Sequence, residues 1–226
     1  MAHVLVTGAN RGLGLEFVRQ YVEAGWTVTA TCRSPREADD LKKLGVRTEQ
    51  LDMRETTSFA RFAASLTGPL DLVVNNAGVY GVGGRGQLFS DLDVPSWADT
   101  LLVNAIAPIK LTAALLQPLL RATAPKVVFV STNMASFGMD TGGGEYLYRS
   151  SKAALNSAVH LLGKDIVPMG IAVAALHPGW VHTDMGGPDA PLSPRMSVEG
   201  MRAVIDGLTA SNGPVFLNYD GQRIPW

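Results

Sequence analysis

His3-Val4-Leu5-Val6-Thr7, running straight into Gly8-Ala9-Asn10-Arg11-Gly12-Leu13-Gly14, is the stretch that decides the fold. Five mostly apolar residues read as a buried strand, and a helical pattern starts at residue 13. Gly8 can make the tight turn between them, Gly12 lets backbone approach a pyrophosphate, and Gly14 lets the helix pack close to the strand. The N–H groups at the helix N-terminus then face the anion, with Asn10, Arg11 and Leu13 beside it. The spacing is Gly-x-x-x-Gly-x-Gly rather than Gly-x-Gly-x-x-Gly. A glycine motif alone is a weak signal, and this one draws its weight from the first strand of a strand–helix–strand unit.

Working outward, further strands are expected at 26–32, 46–51, 70–74, 126–131, 170–176 and 214–219. Helices are expected between them at about 13–24, 35–44, 55–65, 96–122, 146–167 and 197–210. Most of the strands are apolar at nearly every position, the pattern of strands covered on both faces. Gly25 stands where a left-handed cap is wanted after the first helix, and Pro168 and Gly170 close the long helix before the sixth strand. Such alternation implies crossover connections and a parallel sheet. The expected fold is α/β: one domain over 1–226, with a doubly wound, Rossmann-type sheet of about seven strands in three layers. Two glycine-rich loops, 81–86 and 142–144, and a Pro-rich stretch at 188–194 all follow candidate strands, at the sheet end where ligands of such folds bind.

Composition narrows the function. Of 226 residues, 46% are hydrophobic and 17% charged, enough to bury a sizeable core. The formal net charge of −1 and the lack of a basic run make nucleic acid a poor partner. Cys32 is the single cysteine, which excludes an internal disulfide and suits a reducing compartment. Neither a signal peptide nor a membrane-spanning stretch can be read, so a soluble, cytoplasmic protein is expected. His3, His160, His177 and His182 show no metal-ligand spacing, and no metal site is expected.

Chemistry enters at Tyr148-Arg149-Ser150-Ser151-Lys152. A spacing of four places Tyr148 and Lys152 on one helix face, a turn apart. A cation beside a phenol favours the phenolate and lowers its pKa toward working pH. A tyrosine so tuned can give a proton to a carbonyl oxygen or take one from an alcohol. In the loops that should rim the cleft, Met134, Phe137, Met139, Trp180 and Met185 read together as an apolar substrate pocket or as loop packing, and His182 as a substrate contact or as loop surface.

With these features in order, the chain resembles the short-chain dehydrogenase/reductase family over nearly its whole length. The markers are the 7–14 glycine loop, Asp52 after the third strand, and Asn75-Asn76-Ala77-Gly78 after the fourth. Asn104 in the long helix, Tyr148-x-x-x-Lys152 and Pro178-Gly179-Trp180-Val181-His182-Thr183 complete the set. Within the family it is most similar to C-factor-like and sniffer-like carbonyl reductases. The features that point there are Tyr-Arg-x-Ser-Lys, the preceding glycine triplet, Trp180, and the ending Tyr219-Asp220-Gly221…Pro225-Trp226.

The resemblance implies roles at matching positions. Tyr148 is the general acid/base, and Lys152 holds the nicotinamide ribose and lowers the Tyr148 pKa. Asn104 anchors a water that relays protons through Lys152. Asp52, with Met53, meets the adenine, while Asn75, Ala77 and Gly78 line the cofactor backbone. Thr183 bonds the carboxamide, beside Pro178, Gly179 and Val181. A small-molecule carbonyl or alcohol substrate and a homodimer or homotetramer are implied as well. The family's serine, which binds the substrate oxygen, is where this sequence departs: Ser131-Thr132-Asn133 stands where relatives read Ser-Ser. Register makes Thr132 the match, with Ser131 and Ser136 as alternatives; a threonine hydroxyl donates the same hydrogen bond. Thr132, Phe137, Tyr148 and Trp180 are the expected substrate contacts.

NAD-preferring members carry an acidic residue at the end of the second strand. Here Cys32 occupies that position and Arg33 follows, suited to a 2′-phosphate, with Arg11 near by. The expected cofactor is NADPH rather than NADH, and the expected activity is reduction of a small, apolar aldehyde or ketone. Two other readings of the same residues are a dinucleotide-binding sensing or signalling protein with little turnover and an NAD-linked alcohol dehydrogenase, which the missing acidic residue disfavours.

Overall fold

The structure, a computed structural model, describes residues 1–81, 87–139 and 142–226. The expected loop at 81–86 therefore lies outside the described residues apart from Gly81, as do two residues just before the 142–144 loop. The chain begins with β1 (His3–Thr7), α1 (Gly12–Glu23), β2 (Thr27–Cys32), α2 (Asp39–Leu44), β3 (Arg47–Gln50), α3 (Phe59–Ala64) and β4 (Leu72–Asn75). A short hairpin, β5 (Gln87–Leu88) and β6 (Asp91–Leu92), precedes α4 (Val94–Leu101), α5 (Ala107–Ala114) and α6 (Leu116–Leu120). Then come β7 (Lys126–Val130), α7 (Tyr146–Ile166), β8 (Ala172–His177), α8 (Pro194–Asp206) and β9 (Val215–Asn218).

Seven strands form one sheet in the order β3-β2-β1-β4-β7-β8-β9, every pair parallel. The chain starts at a central strand, moves out to one edge, and returns to build the other half. The reversal lies between β1 and β4, which is where a doubly wound sheet opens a ligand crevice beyond its strand ends. Alternation within each strand explains the all-apolar runs. Leu5, Val73, Val127 and Phe129 face Phe59, Leu111, Leu155 and Val159 on α3, α5 and α7. Their neighbours Val4, Val6, Val74 and Val128 face Phe17, Val18, Met201 and Ile205 on α1 and α8. Both faces are covered, giving the three expected layers.

The helix expected over 96–122 is interrupted. It begins at Val94, passes through a π turn at Leu102–Ile106, and breaks again at Leu115. Proline is the physical reason: Pro108 has no N–H for the carbonyl of Asn104 four residues back, and Pro118 has none for Ala114. The last helix starts three residues earlier than expected, where Ser193 caps Met196 N–H and Pro194 fills the first turn.

Candidate active site

Thr7 ends β1, and its hydroxyl accepts the backbone N–H groups of Asn76 (3.1 Å) and Ala77 (3.0 Å). The Asn76 amide returns to the carbonyls of Thr7 (2.9 Å) and Gly8 (3.2 Å), so the glycine loop and the turn after β4 are fixed to each other. Gly8 takes a positive φ of 62° with Ala77 against its Cα. Gly14 has a different task. A methyl there would drive into the Gly8 carbonyl and the Asn76 amide, so this glycine sets how closely α1 packs on β1 and does not line the cleft. The N-terminus of α1 carries no side-chain cap and no acidic residue in its first turn, leaving its N–H groups and positive dipole end for an anion.

Above this loop lies a cleft of about 350 Å³. It runs from Arg33, Asp52 and Met53 beyond β2 and β3, past Asn10, Arg11, Gly12 and Leu13, to Ala77, Gly78, Tyr148 and Lys152. Pro178 and Thr183 close its β8 side. Met185, read from the sequence as a rim residue, lines the cleft as well, and the residues the structure adds include Asn76, Val79 and Asp184. Asn76 was visible as the second residue of Asn75-Asn76-Ala77-Gly78; the others carry no sequence signal of their own.

Several residues expected to contact cofactor or substrate stand away from the cleft wall. Asn75 is the last residue of β4, and alternation turns its side chain to the α5 face, where it donates to Thr112 Oγ1 at 3.3 Å. Gly179 packs on Leu192 and Tyr219, and Val181 is buried in a bridge with Leu192, so neither lines the cleft. Phe137 is 91% exposed and Trp180 58% exposed, the indole donating to Gly186 O (2.8 Å) within its own loop. Both lie outside the cleft wall. Arg11 does not turn toward Arg33; its guanidinium meets Asp184 across the mouth at 2.6 Å.

Asn104 sits in the π turn, 1% exposed. Its amide donates to Val79 O (2.7 Å) and Ser151 Oγ (3.0 Å) and accepts from Val79 N–H (2.8 Å), tying the turn after β4 to α7. Both amide protons are thus committed.

Tyr148 and Lys152 are both buried on α7. Lys152 Nζ donates to Val130 O at 2.8 Å and lies 6.0 Å from the Tyr148 ring centroid. Burial disfavours the charge on each group. It pushes the Tyr148 phenol above its ordinary range, with the Tyr80 phenol adding to the rise, and pulls Lys152 down to about 8. In this arrangement burial, not the lysine, sets the direction at Tyr148, while the Lys152 ammonium donates to the Val130 carbonyl.

The three candidate hydroxyls separate by their partners. Ser131 Oγ donates to Asn156 Oδ1 at 2.7 Å, and Ser136 Oγ to Pro225 O at 2.5 Å. Thr132 Oγ1 accepts from Met134 N–H, and its own proton has only a long 3.4 Å contact to Asn133 Oδ1. Of the three, Thr132 has the proton most available to another acceptor, whereas Ser131 is the one that lines the cleft. Beside β3, Asp52 Oδ1 accepts Arg54 N–H at 2.9 Å, while Arg54 is held bidentately by Asp99 at 2.7 Å.

A family model described as short chain dehydrogenase matches residues 2–191. The chain belongs to that family. This short-chain dehydrogenase is 44% identical to the C-signal of Myxococcus xanthus over 160 residues, covering 71% of this chain and 95% of that one. The carbonyl reductase Sniffer of D. melanogaster superimposes with a TM-score of 0.93 at 31% identity, each chain covered in full. An NADPH-bound carbonyl reductase from chicken fatty liver gives 0.90 at 32%, covering 100% of this chain and 99% of that one. These similarities place this short-chain dehydrogenase, an oxidoreductase by family, in the C-factor-like and sniffer-like branch. Among the described residues, no helix is long and apolar enough to cross a membrane.

Proposed function

We propose that this chain reduces a small, apolar aldehyde or ketone with NADPH, Tyr148 giving the proton to the forming alkoxide. The observation that carries the reading is the Tyr148–Lys152 pair, buried on one helix face in the wall of a cleft that starts at an uncapped helix N-terminus. The residues present fit a dinucleotide: α1 offers its N–H groups to the diphosphate, Asp52 Oδ2 is open to the adenine amino group, and Thr183 to the carboxamide. When bound, the reduced nicotinamide supplies the hydride.

The remaining chemistry belongs to the protein. Thr132 donates to the carbonyl oxygen as negative charge builds on it. The protonated phenol of Tyr148 is the form that gives its proton to the forming alkoxide. Lys152 would bond the ribose hydroxyls, and Asn104 would hold a water that returns protons through it. The whole of 1–226 acts as one dinucleotide-binding domain, in a cytoplasmic homodimer or homotetramer. The test is a screen of the purified protein with NADPH and NADH against aldehydes, ketones and diketones, following nicotinamide absorbance. Tight NADPH binding without turnover on any of them would replace this reading with a dinucleotide-binding sensor.

Arg33 supports the choice of NADPH. It is exposed beside the cleft, and among the described residues no carboxylate pairs with it. The neighbouring Cys32, where an acidic residue would repel a 2′-phosphate, is a buried thiol. Arg33→Ala should weaken NADPH by about 1.5–3 kcal/mol, the range for a charge-assisted hydrogen bond, and leave NADH nearly unchanged. Calorimetry showing equal loss for both cofactors would remove Arg33 as the phosphate reader.

A further inference from the structure

The helix that carries Tyr148 and Lys152 begins awkwardly. Glu145, at its N-terminus, is the one non-glycine residue with positive φ (48°) among the described residues, and it provides no side-chain cap. The first N–H groups of a helix have no partner within it, and a buried one left unpaired is costly. Arg149 N–H already reaches Glu145 O at 2.9 Å. The N–H of Tyr148, one residue earlier, is met from outside the helix: Gln87 Oε1 accepts it at 3.3 Å.

Gln87 opens the β5–β6 hairpin and is 3% exposed, while the next residue, Leu88, is 62% exposed. Burial alone would put the leucine inside and the amide outside, so the inverted order marks the amide as the group the interior needs. Its other end has work as well. Gln87 Nε2 donates to Tyr80 O at 3.0 Å, and the Tyr80 ring lies on the Tyr148 ring with centroids 4.7 Å apart. One neutral amide thus fixes the backbone of Tyr148 and the backbone of the residue whose ring rests on it. A carboxylate could serve the first contact but not donate to the second, and an apolar side chain could serve neither.

We propose that Gln87 is a positioning residue for the reaction, setting where the Tyr148 phenol stands relative to the substrate oxygen. The proposal rests on the reading of Tyr148 as proton donor. The test compares Gln87→Leu, Gln87→Glu and Tyr148→Phe, each with NADPH bound, by single-turnover reduction across pH, NADPH affinity and thermal midpoint. Gln87→Leu should lose rate by up to about a hundredfold, as a misplaced catalytic group does, with NADPH affinity unchanged. Gln87→Glu keeps the tie to Tyr148 and should hold more of the rate. Its carboxylate, set against the Tyr148 backbone N–H, brings a negative charge to the Tyr148–Lys152 face and should move the alkaline limb of the pH profile upward.

Full rate in Gln87→Leu while Tyr148→Phe is inactive would overturn the proposal. So would a rate loss in Gln87→Leu matched by an equal loss of NADPH binding. If Gln87→Leu does not fold, an unmoved pH profile in Gln87→Glu overturns it instead. Activity in Tyr148→Phe would strike the parent reading, not this one alone.

Discussion

Tyr148→Phe is expected to lower carbonyl reduction by roughly a hundredfold or more, the scale on which a general acid contributes. The substitution keeps the ring that packs on Tyr80 and removes only the hydroxyl, so fold and NADPH affinity should change little. The pH profile gives a second check. Lys152, held near 8 by burial, carries its charge below that pH and loses it above. If the charged form holds the ribose, wild-type reduction should fall as pH climbs past about 8 and recover on return. Near-normal turnover in Tyr148→Phe would mean that the proton comes from elsewhere.

The second large effect is expected at Thr132. Losing one donor to a developing oxyanion costs about 2.7–4 kcal/mol of barrier in enzymes where it has been removed. Thr132→Ala should therefore slow single-turnover reduction by about a hundredfold or more, while Thr132→Ser keeps most of the rate. Ser131→Ala removes a buried bond to Asn156 and should lower stability more than the chemical step. Circular dichroism and melting of each variant separate those outcomes. Loss of turnover in Ser131→Ala, with Thr132→Ala active, would transfer the oxyanion role to Ser131.

Most strands were legible because they are apolar at nearly every position, β3 (Arg47-Thr48-Glu49-Gln50) being the polar exception, and all seven lie within a residue or two of the expected positions. The glycine loop was legible because strand, turn and helix follow one another without a gap. What stayed hidden is what a linear pattern cannot carry. Phe137 and Trp180 are apolar residues in the right loops, yet loop backbone turns both to solvent, and no periodicity records that direction. Asn75 belongs to a recognisable motif, but its side chain obeys strand alternation and points to α5. Gln87 looks like any polar residue of a turn; its burial depends on a hairpin and a helix 61 residues away. The effect of Lys152 on Tyr148 was read from spacing, which fixes which residues are neighbours and says nothing of how dry their surroundings are.

The contact between Arg11 and Asp184 has a kinetic meaning. It joins the glycine loop to the segment after β8, across the mouth through which a dinucleotide enters, and both side chains are mostly in water. An exposed pair of this kind contributes no more than about 1 kcal/mol and is screened by salt, so it yields readily to an incoming phosphate that competes for the guanidinium. Ionic strength then acts on cofactor capture in two opposite senses. Added salt weakens the pull of Arg33 and Arg11 on the anion, and it also loosens the bar that keeps Arg11 occupied. The association rate should bend with salt concentration instead of falling along a single line.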